Sequence, residues 1–223
     1  MTQATTAVSP ALTETLVDVL ARHARERGHR LAVIDGTRTV DHATFHAAVA
    51  RQAAALAGAG LQPGERFVLL AGNRAEVLVL LGAAAWLGAV MVPLNLRLSA
   101  AELAQQVLDA HARLVVLEPE HVGLLDAALP AGLGDTRRLL LTAPPADGLA
   151  LVGPEAAAAT APPVVGRSDD AVLMLYTAAV DGRARGAVMS QRNLVASSAQ
   201  LGLAWGLGPD DRWLGVLPLF HAA

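Results

Sequence analysis

Residues 176–194, Y-T-A-A-V-D-G-R-A-R-G-A-V-M-S-Q-R-N-L, bring together the side chains best suited to a chemical task. An apolar run, 172–175, leads into a loop that carries Gly182 and Gly186 with Arg183 and Arg185. A short strand and a helix opening near Ser190 follow. Strand, glycine loop and helix form the physical plan of a phosphate cradle. Backbone N–H groups turn inward, glycine lets the chain approach closely, and a cation offsets phosphate charge. On spacing alone, two glycines and two arginines in a loop are more often a plain turn. No G-x-G-x-x-G follows the strand, so the segment is not a dinucleotide fingerprint.

A second candidate is His221, just after an apolar run and Pro218. Taken alone, a histidine there is more often structural. His42 and His46 stand four residues apart on one expected helix, with no third ligand near in sequence. They read as surface residues, as do His23, His29, His111 and His121, and no metal site is expected. The chain has no cysteine, which excludes disulfide scaffolds, cysteine-ligated metals and thiol catalysis and fits a reducing compartment.

Helices and strands alternate along the rest of the chain. A helix with Leu16, Val19, Leu20 and Ala24 on one face stops at Gly28. A strand at 31–34 turns at Asp35-Gly36 into a second strand at 37–40. Asp41 caps a helix that buries Phe45, Val49, Ala53 and Leu56. A strand at 67–70 precedes a helix at 73–86, for which Asn73 and Glu76 have the spacing of an N-cap and its N3 partner. Gly88 ends that helix before a strand at 89–92. Ser99 and Glu102 form a capping box, with Leu98 and Leu103 at the positions of a hydrophobic staple, for a helix to about Asp109. Strands at 114–117 and 138–141 flank a helix at 121–129. Residues 142–167 are rich in Pro and Ala and read as an irregular surface excursion. The helix near Ser190 turns Leu194, Ser198 and Leu201 to one side, and 213–217 is the last strand. Short apolar strands alternating with helices predict an α/β fold with a largely parallel sheet.

The 223 residues suit one large domain or two small ones, and 53% hydrophobic against 17% charged residues excludes a disordered chain. A net charge of −3 leaves no electrostatic footprint for nucleic acid. All 17 basic residues are Arg, so each arginine carries less weight than usual, since it stands wherever a cation is needed. The uncharged run 77–94 has the length of a membrane span. Its internal punctuation favours a buried helix followed by a buried strand. The first ten residues lack the basic start and apolar run of a signal peptide.

The segment 176–194 resembles the phosphate-loop signature of the AMP-forming adenylating enzymes, the acyl-CoA synthetase and luciferase superfamily: Y-T-S-G-T-T-G-x-P-K-G-V-x-x-S-H-x-N-L. Tyr176, Thr177, Gly182, Gly186, Ser190, Asn193 and Leu194 match in register. Five further elements follow the family's order: T-V-D-H-A-T-F at 39–45, G-L-Q-P-G-E-R at 60–66, Asn73 to Glu76 as N-x-x-E, L-G-A-V-M-V-P-L-N at 87–95, and L-P-L-F-H at 217–221. The departures lie in the loop. Ala178, Ala179, Val180 and Asp181 stand where the family has Ser, Gly, Thr and Thr, with Ala184 for Pro and Arg185 for Lys. Asp181 sets a negative charge beside a polyanion, about 4 kcal/mol unfavourable at 4 Å and an effective dielectric near 20. Arg183 and Arg185 are placed to offset it.

The resemblance implies the N-terminal subdomain region of the adenylate-forming fold over residues 1–223, as a partial adenylation domain without the C-terminal domain. It implies a phosphate loop of Thr177, Ala178, Ala179, Val180, Asp181, Gly182, Arg183, Arg185 and Gly186, with His221 on the acyl or adenylate side. No complete catalytic set is expected within this chain. The implied small molecules are ATP with Mg2+, CoA and a carboxylic acid, in the cytoplasm, with no nucleic acid and no membrane span. The implied activity is an ATP-dependent, AMP-forming acid–CoA ligase, such as a fatty acyl-CoA synthetase. The alternative is a non-catalytic relative whose altered loop serves ligand or partner binding.

Overall fold

In the computed structural model, residues 13–145, 148–152, 160–177 and 183–221 are described. Helix α1, Leu16–Arg27, opens on a capping box between Thr15 and Asp18. Its one fully buried residue is Val17, and Leu16 and Leu20 of the expected face pack against the core. Strands β1, Leu31–Asp35, and β2, Arg38–Asp41, pair as an antiparallel hairpin, and Gly36 takes φ +60° in its two-residue turn. Helix α2, His42–Gly58, starts at Asp41, whose carboxylate accepts the Thr44 N–H at 2.7 Å.

The remaining strands are β3, Arg66–Leu70; β4, Val90–Pro93; β5, Leu114–Leu117; β6, Arg137–Leu140; β7, Ala171–Tyr176; and β8, Gly186–Ser190. They form one sheet in the order β6-β5-β3-β4-β7-β8. All neighbours are parallel except β7 and β8. The parallel strands β3, β4 and β5 are buried on both faces, which explains their unbroken apolar spelling. Phe67, Leu69, Met91, Leu114 and Val116 face one core, and Val68, Leu70, Val92, Val115 and Leu117 face the other.

The first core is shared with α1, α2 and α3, Ala75–Leu87. The second is closed by α4, Ala100–Asp109, and α5, Val122–Ala128, the latter entered through a 3₁₀ turn at Pro119–His121. Helix α3 is buried on almost every side, which is why its spelling carries so little charge. The uncharged run is thus a buried helix plus β4, and no helix among the described residues is long and apolar enough to cross a membrane. Gly88 ends α3 at φ +64°. Ser99 and Glu102 form the expected capping box. Helix α6, Gln191–Trp205, is capped by Ser190 and Asn193.

Four expectations fail. Asn73 does not cap α3: the N-cap residue is Arg74, without a side-chain cap bond, and the Ala75 N–H donates instead to Asp35 of the β1–β2 turn at 3.0 Å. Residues 213–217 form no strand, because no described segment offers them a ladder, and Trp213, Leu214, Val216 and Leu217 stay exposed. Helix α6 buries Gln191 and Val195, whereas Leu201 is exposed. The described residues of 142–167 form no helix or strand, but they do not lie on the surface throughout. Ala150 and Val152 are buried, the Gln52 carboxamide exchanges hydrogen bonds with the Val152 backbone at 2.8 and 3.4 Å, and Trp86 Nε1 donates to Pro162 at 2.8 Å.

Candidate active site

Parallel strands point their carboxyl ends in one direction, and in open α/β sheets ligands bind outside those ends. A cleft of about 280 Å³ opens there, beyond β4 and β7. Pro93, Asn95 and Leu98 line it from the β4 end, and Glu102, Gln105 and Gln106 from α4. Tyr176, Thr177 and Ala184 line it from the β7–β8 connection, and Phe220 and His221 from the end of the chain.

The neck of the β7–β8 connection is closed at Thr177, whose N–H and hydroxyl both donate to the Arg185 carbonyl, at 2.9 and 3.3 Å. Tyr176 anchors the strand end one residue earlier. Its hydroxyl donates to the Asp109 carboxylate at 2.7 Å and lies 3.2 Å from the Gln106 carbonyl. Burial and the adjacent Asp109 push the phenol well above its ordinary range, so it stays a donor. Gly186 has a packing reason: a Cβ there would sit 2.7 Å from Met174 Sδ. Arg183 and Arg185 are exposed and form no ion pair with a described residue. Ala178, Ala179, Val180, Asp181 and Gly182 lie outside the described residues.

His221 shares the cleft with Thr177 although 44 positions separate them in the sequence. Its N–H donates to the Pro218 carbonyl at 3.0 Å, closing a turn. The turn is tied to the sheet through Asn73, which donates to Leu217 at 2.8 Å and accepts from the Leu219 N–H at 2.9 Å. The sequence reading did not place Asn73, Glu102, Gln105 or Gln106 at the site. Glu102 was legible only as a cap, and it is one: Ser99 donates to it through both N–H and hydroxyl. Those bonds lower its pKa, which keeps an anion at the cleft rim.

A charge network centres on the buried Glu76. Glu76 is 1% exposed and accepts from Arg38 at 2.7 Å, Arg74 at 2.8 Å and the Ala150 N–H at 3.0 Å. Arg74 also pairs with Glu118 at 2.8 Å, and Glu118 accepts the Gly72 N–H at 2.8 Å. Arg38 reaches back to Asp35 and to the Gly148 carbonyl. The network joins the β1–β2 hairpin, the start of α3, the end of β5 and the 142–152 connection. Among the described residues no group of three or more His, Asp or Glu side chains could hold a metal ion. The histidines are not all surface residues: the half-buried His46 ring lies 5.7 Å from Trp86, and His23 meets His42 edge-on at 5.1 Å.

Fold and cleft together define a class, a mostly parallel α/β sheet with a cleft of mixed polar and apolar lining at the carboxyl ends of its strands. The chain belongs to the AMP-binding enzyme family, whose model matches residues 20–223. It is 37% identical over 202 residues to a feruloyl-CoA synthase of an Amycolatopsis species, covering 91% of this chain and 38% of that protein. It is 32% identical to a 2-succinylbenzoate–CoA ligase of Geobacillus kaustophilus, covering 86% of this chain and 36% of that protein. The crystal structure of ATP-bound MatB from Rhodopseudomonas palustris superimposes with a TM-score of 0.78 at 30% identity, covering 92% of this chain and 41% of that one. The chain thus spans well under half the length of these relatives.

Proposed function

We propose that this chain is the N-terminal part of an ATP-dependent, AMP-forming carboxylic acid–CoA ligase. One observation carries the reading: the neck of the phosphate-loop segment, at Thr177 and Ala184, and the Phe220–His221 end of the chain line one cleft. The reaction has two halves. A carboxylate oxygen attacks the α-phosphorus of ATP, giving an acyl-adenylate and releasing pyrophosphate. The CoA thiol, losing its proton, then attacks the acyl carbon and displaces AMP. Most of the catalytic demand is alignment and charge neutralisation. Arg183 and Arg185 stand exposed beside the cleft as candidate partners for phosphate oxygens, and Mg2+ travels with the nucleotide. His221 faces the acyl side. The names of the relatives support an acyl or aryl acid as substrate, and the demand for ATP and CoA supports a cytoplasmic setting.

The second reading, a non-catalytic binding module, draws on the loop spelling, where Asp181 and Val180 replace hydroxyl-bearing residues. Carboxylate-dependent exchange of pyrophosphate into ATP separates the two. The longest natural form of the protein should exchange, and the isolated 223 residues should not. Replacing Ala178, Ala179, Val180, Asp181 and Arg185 with Ser, Gly, Thr, Thr and Lys in that long form should raise ATP·Mg2+ affinity at least about tenfold, which is about 1.4 kcal/mol. Absence of exchange over a panel of acyl and aryl acids would favour the binding module. Unchanged or weaker affinity in the restored loop, with binding abolished by Arg185→Ala, would show that the arginines already hold phosphate.

A further inference from the structure

We propose that Asn73 is a positioning residue that fixes Phe220 and His221 at the cleft; their role toward an acyl-adenylate rests on the ligase reading above. Asn73 stands between β3 and α3, at the carboxyl end of a central strand. The residues on either side of it are held hard. The Gly72 N–H donates to Glu118 at 2.8 Å, and the Arg74 guanidinium bridges Glu76 and Glu118. The backbone at 73 is therefore fixed to the sheet, and its side chain points to a segment more than 140 positions away. Nδ2 donates to the Leu217 carbonyl at 2.8 Å, and Oδ1 accepts the Leu219 N–H at 2.9 Å.

This is the donor–acceptor pair that a neighbouring strand would offer, supplied by one carboxamide. It straddles Pro218, which has no N–H of its own to give. The segment needs such a clamp, because residues 211–216 lie outside every strand and their large apolar side chains are exposed. Beyond the clamp, Leu219 packs against the edge of the first core, and the Pro218–His221 turn carries Phe220 and His221 to the cleft. A carboxamide can make both bonds, a carboxylate only one, and a methyl group neither.

The competing role for Asn73 is the helix cap that its N-x-x-E spacing suggests, and the two roles predict loss of protection in different places. Amide hydrogen exchange on the ligand-free 223-residue chain reads both. Asn73→Ala should speed exchange at Leu219 and His221 roughly tenfold, the effect of losing one to two ordinary hydrogen bonds. Amides in β3, β5 and the first turn of α3 should keep their rates. Asn73→Asp retains the acceptor and should restore protection at Leu219. Unchanged exchange at 217–221, loss confined to the first turn of α3, or uniform loss across the chain would each overturn the proposal. Failure of the long form to exchange pyrophosphate would overturn the ligase reading and leave the clamp standing, because the clamp is read without ligand.

Discussion

Glu76→Gln removes a buried carboxylate that accepts hydrogen bonds from two arginines and a backbone N–H. Burial alone would push the Glu76 carboxyl up. Hydrogen bonds from Arg38 and Arg74, with the Ala150 N–H behind them, outweigh it and bring the pKa down from 4.5 to about 2. One decade of acidity is about 1.4 kcal/mol, so that displacement corresponds to roughly 3 kcal/mol of stability held by the ionised form. The folded value lies below the unfolded one. The stabilisation is therefore complete above pH 4.5 and is lost as the pH falls from there towards about 2. The glutamine is nearly isosteric but uncharged, and it leaves two guanidinium groups with fewer acceptors. Arg38 retains Asp35 and Arg74 retains Glu118, so the loss should stay near 3 kcal/mol, at the low end of what breaking a buried pair costs. Urea unfolding followed by far-ultraviolet dichroism, at several pH values from neutrality to about 2.5, measures it. The variant should be weaker by roughly 3 kcal/mol near neutrality, and the gap should narrow steadily below pH 4.5. A gap that is small at neutrality, or that does not change with pH, would mean that ionised Glu76 does not tie the hairpin, α3 and the 142–152 connection together.

His46 gives a second pH signature: burial lowers its pKa from 6.5, so stability should fall as the pH drops below 6.5, and His46→Gln should flatten that part of a pH-dependent melting curve. Gly166→Ala should destabilise by about 1–3 kcal/mol in denaturant unfolding, because the new Cβ would lie 1.9 Å from the Ala85 carbonyl oxygen at the end of α3. Gly123→Ala lies in α5 with open space around it and should stabilise by about 0.5–1 kcal/mol in the same assay.

What could be read from the sequence was local. Asp41 with Thr44, Ser99 with Glu102, and Ser190 with Asn193 each satisfy a helix start within three residues, so spelling and structure agree. Gly36 and Gly88 mark turns because a positive φ favours their residue type. The order of apolar runs sufficed for a mostly parallel sheet, and the loop and His221 were marked by resemblance. The pair Asn73 and Glu76 shows where such reading stops. Its spelling is that of a capping pair, yet both side chains are committed elsewhere: Asn73 to Leu217 and Leu219, Glu76 to Arg38 and Ala150. The first turn of α3 takes its cap from Asp35, 40 positions upstream. The Gln52–Val152 exchange spans 100 positions and draws a Pro- and Ala-rich stretch into the core against its composition. In each case the deciding partner is a backbone or side-chain group that only the finished sheet brings near.

The same distinction bears on the site. Tyr176 and Thr177 are placed by the end of β7, an element whose burial was legible, and Ala184 by the approach to β8. Phe220 and His221 belong to a segment whose apolar spelling suggested a strand, and it is not one. Their position depends on the Asn73 carboxamide just past the end of β3, on the packing of Leu219 and on one turn closed by the His221 N–H. The two walls of the cleft therefore differ in how they are held. One is a strand end bonded through a ladder and braced by Asp109; the other is a short segment pinned at two atoms of Asn73. A wall held by two exposed hydrogen bonds opens at far lower free energy than a core strand. Motion at this cleft should begin at 217–221 and leave Thr177 in place, which makes the clamp at Asn73 the point where the geometry of the site is most easily changed.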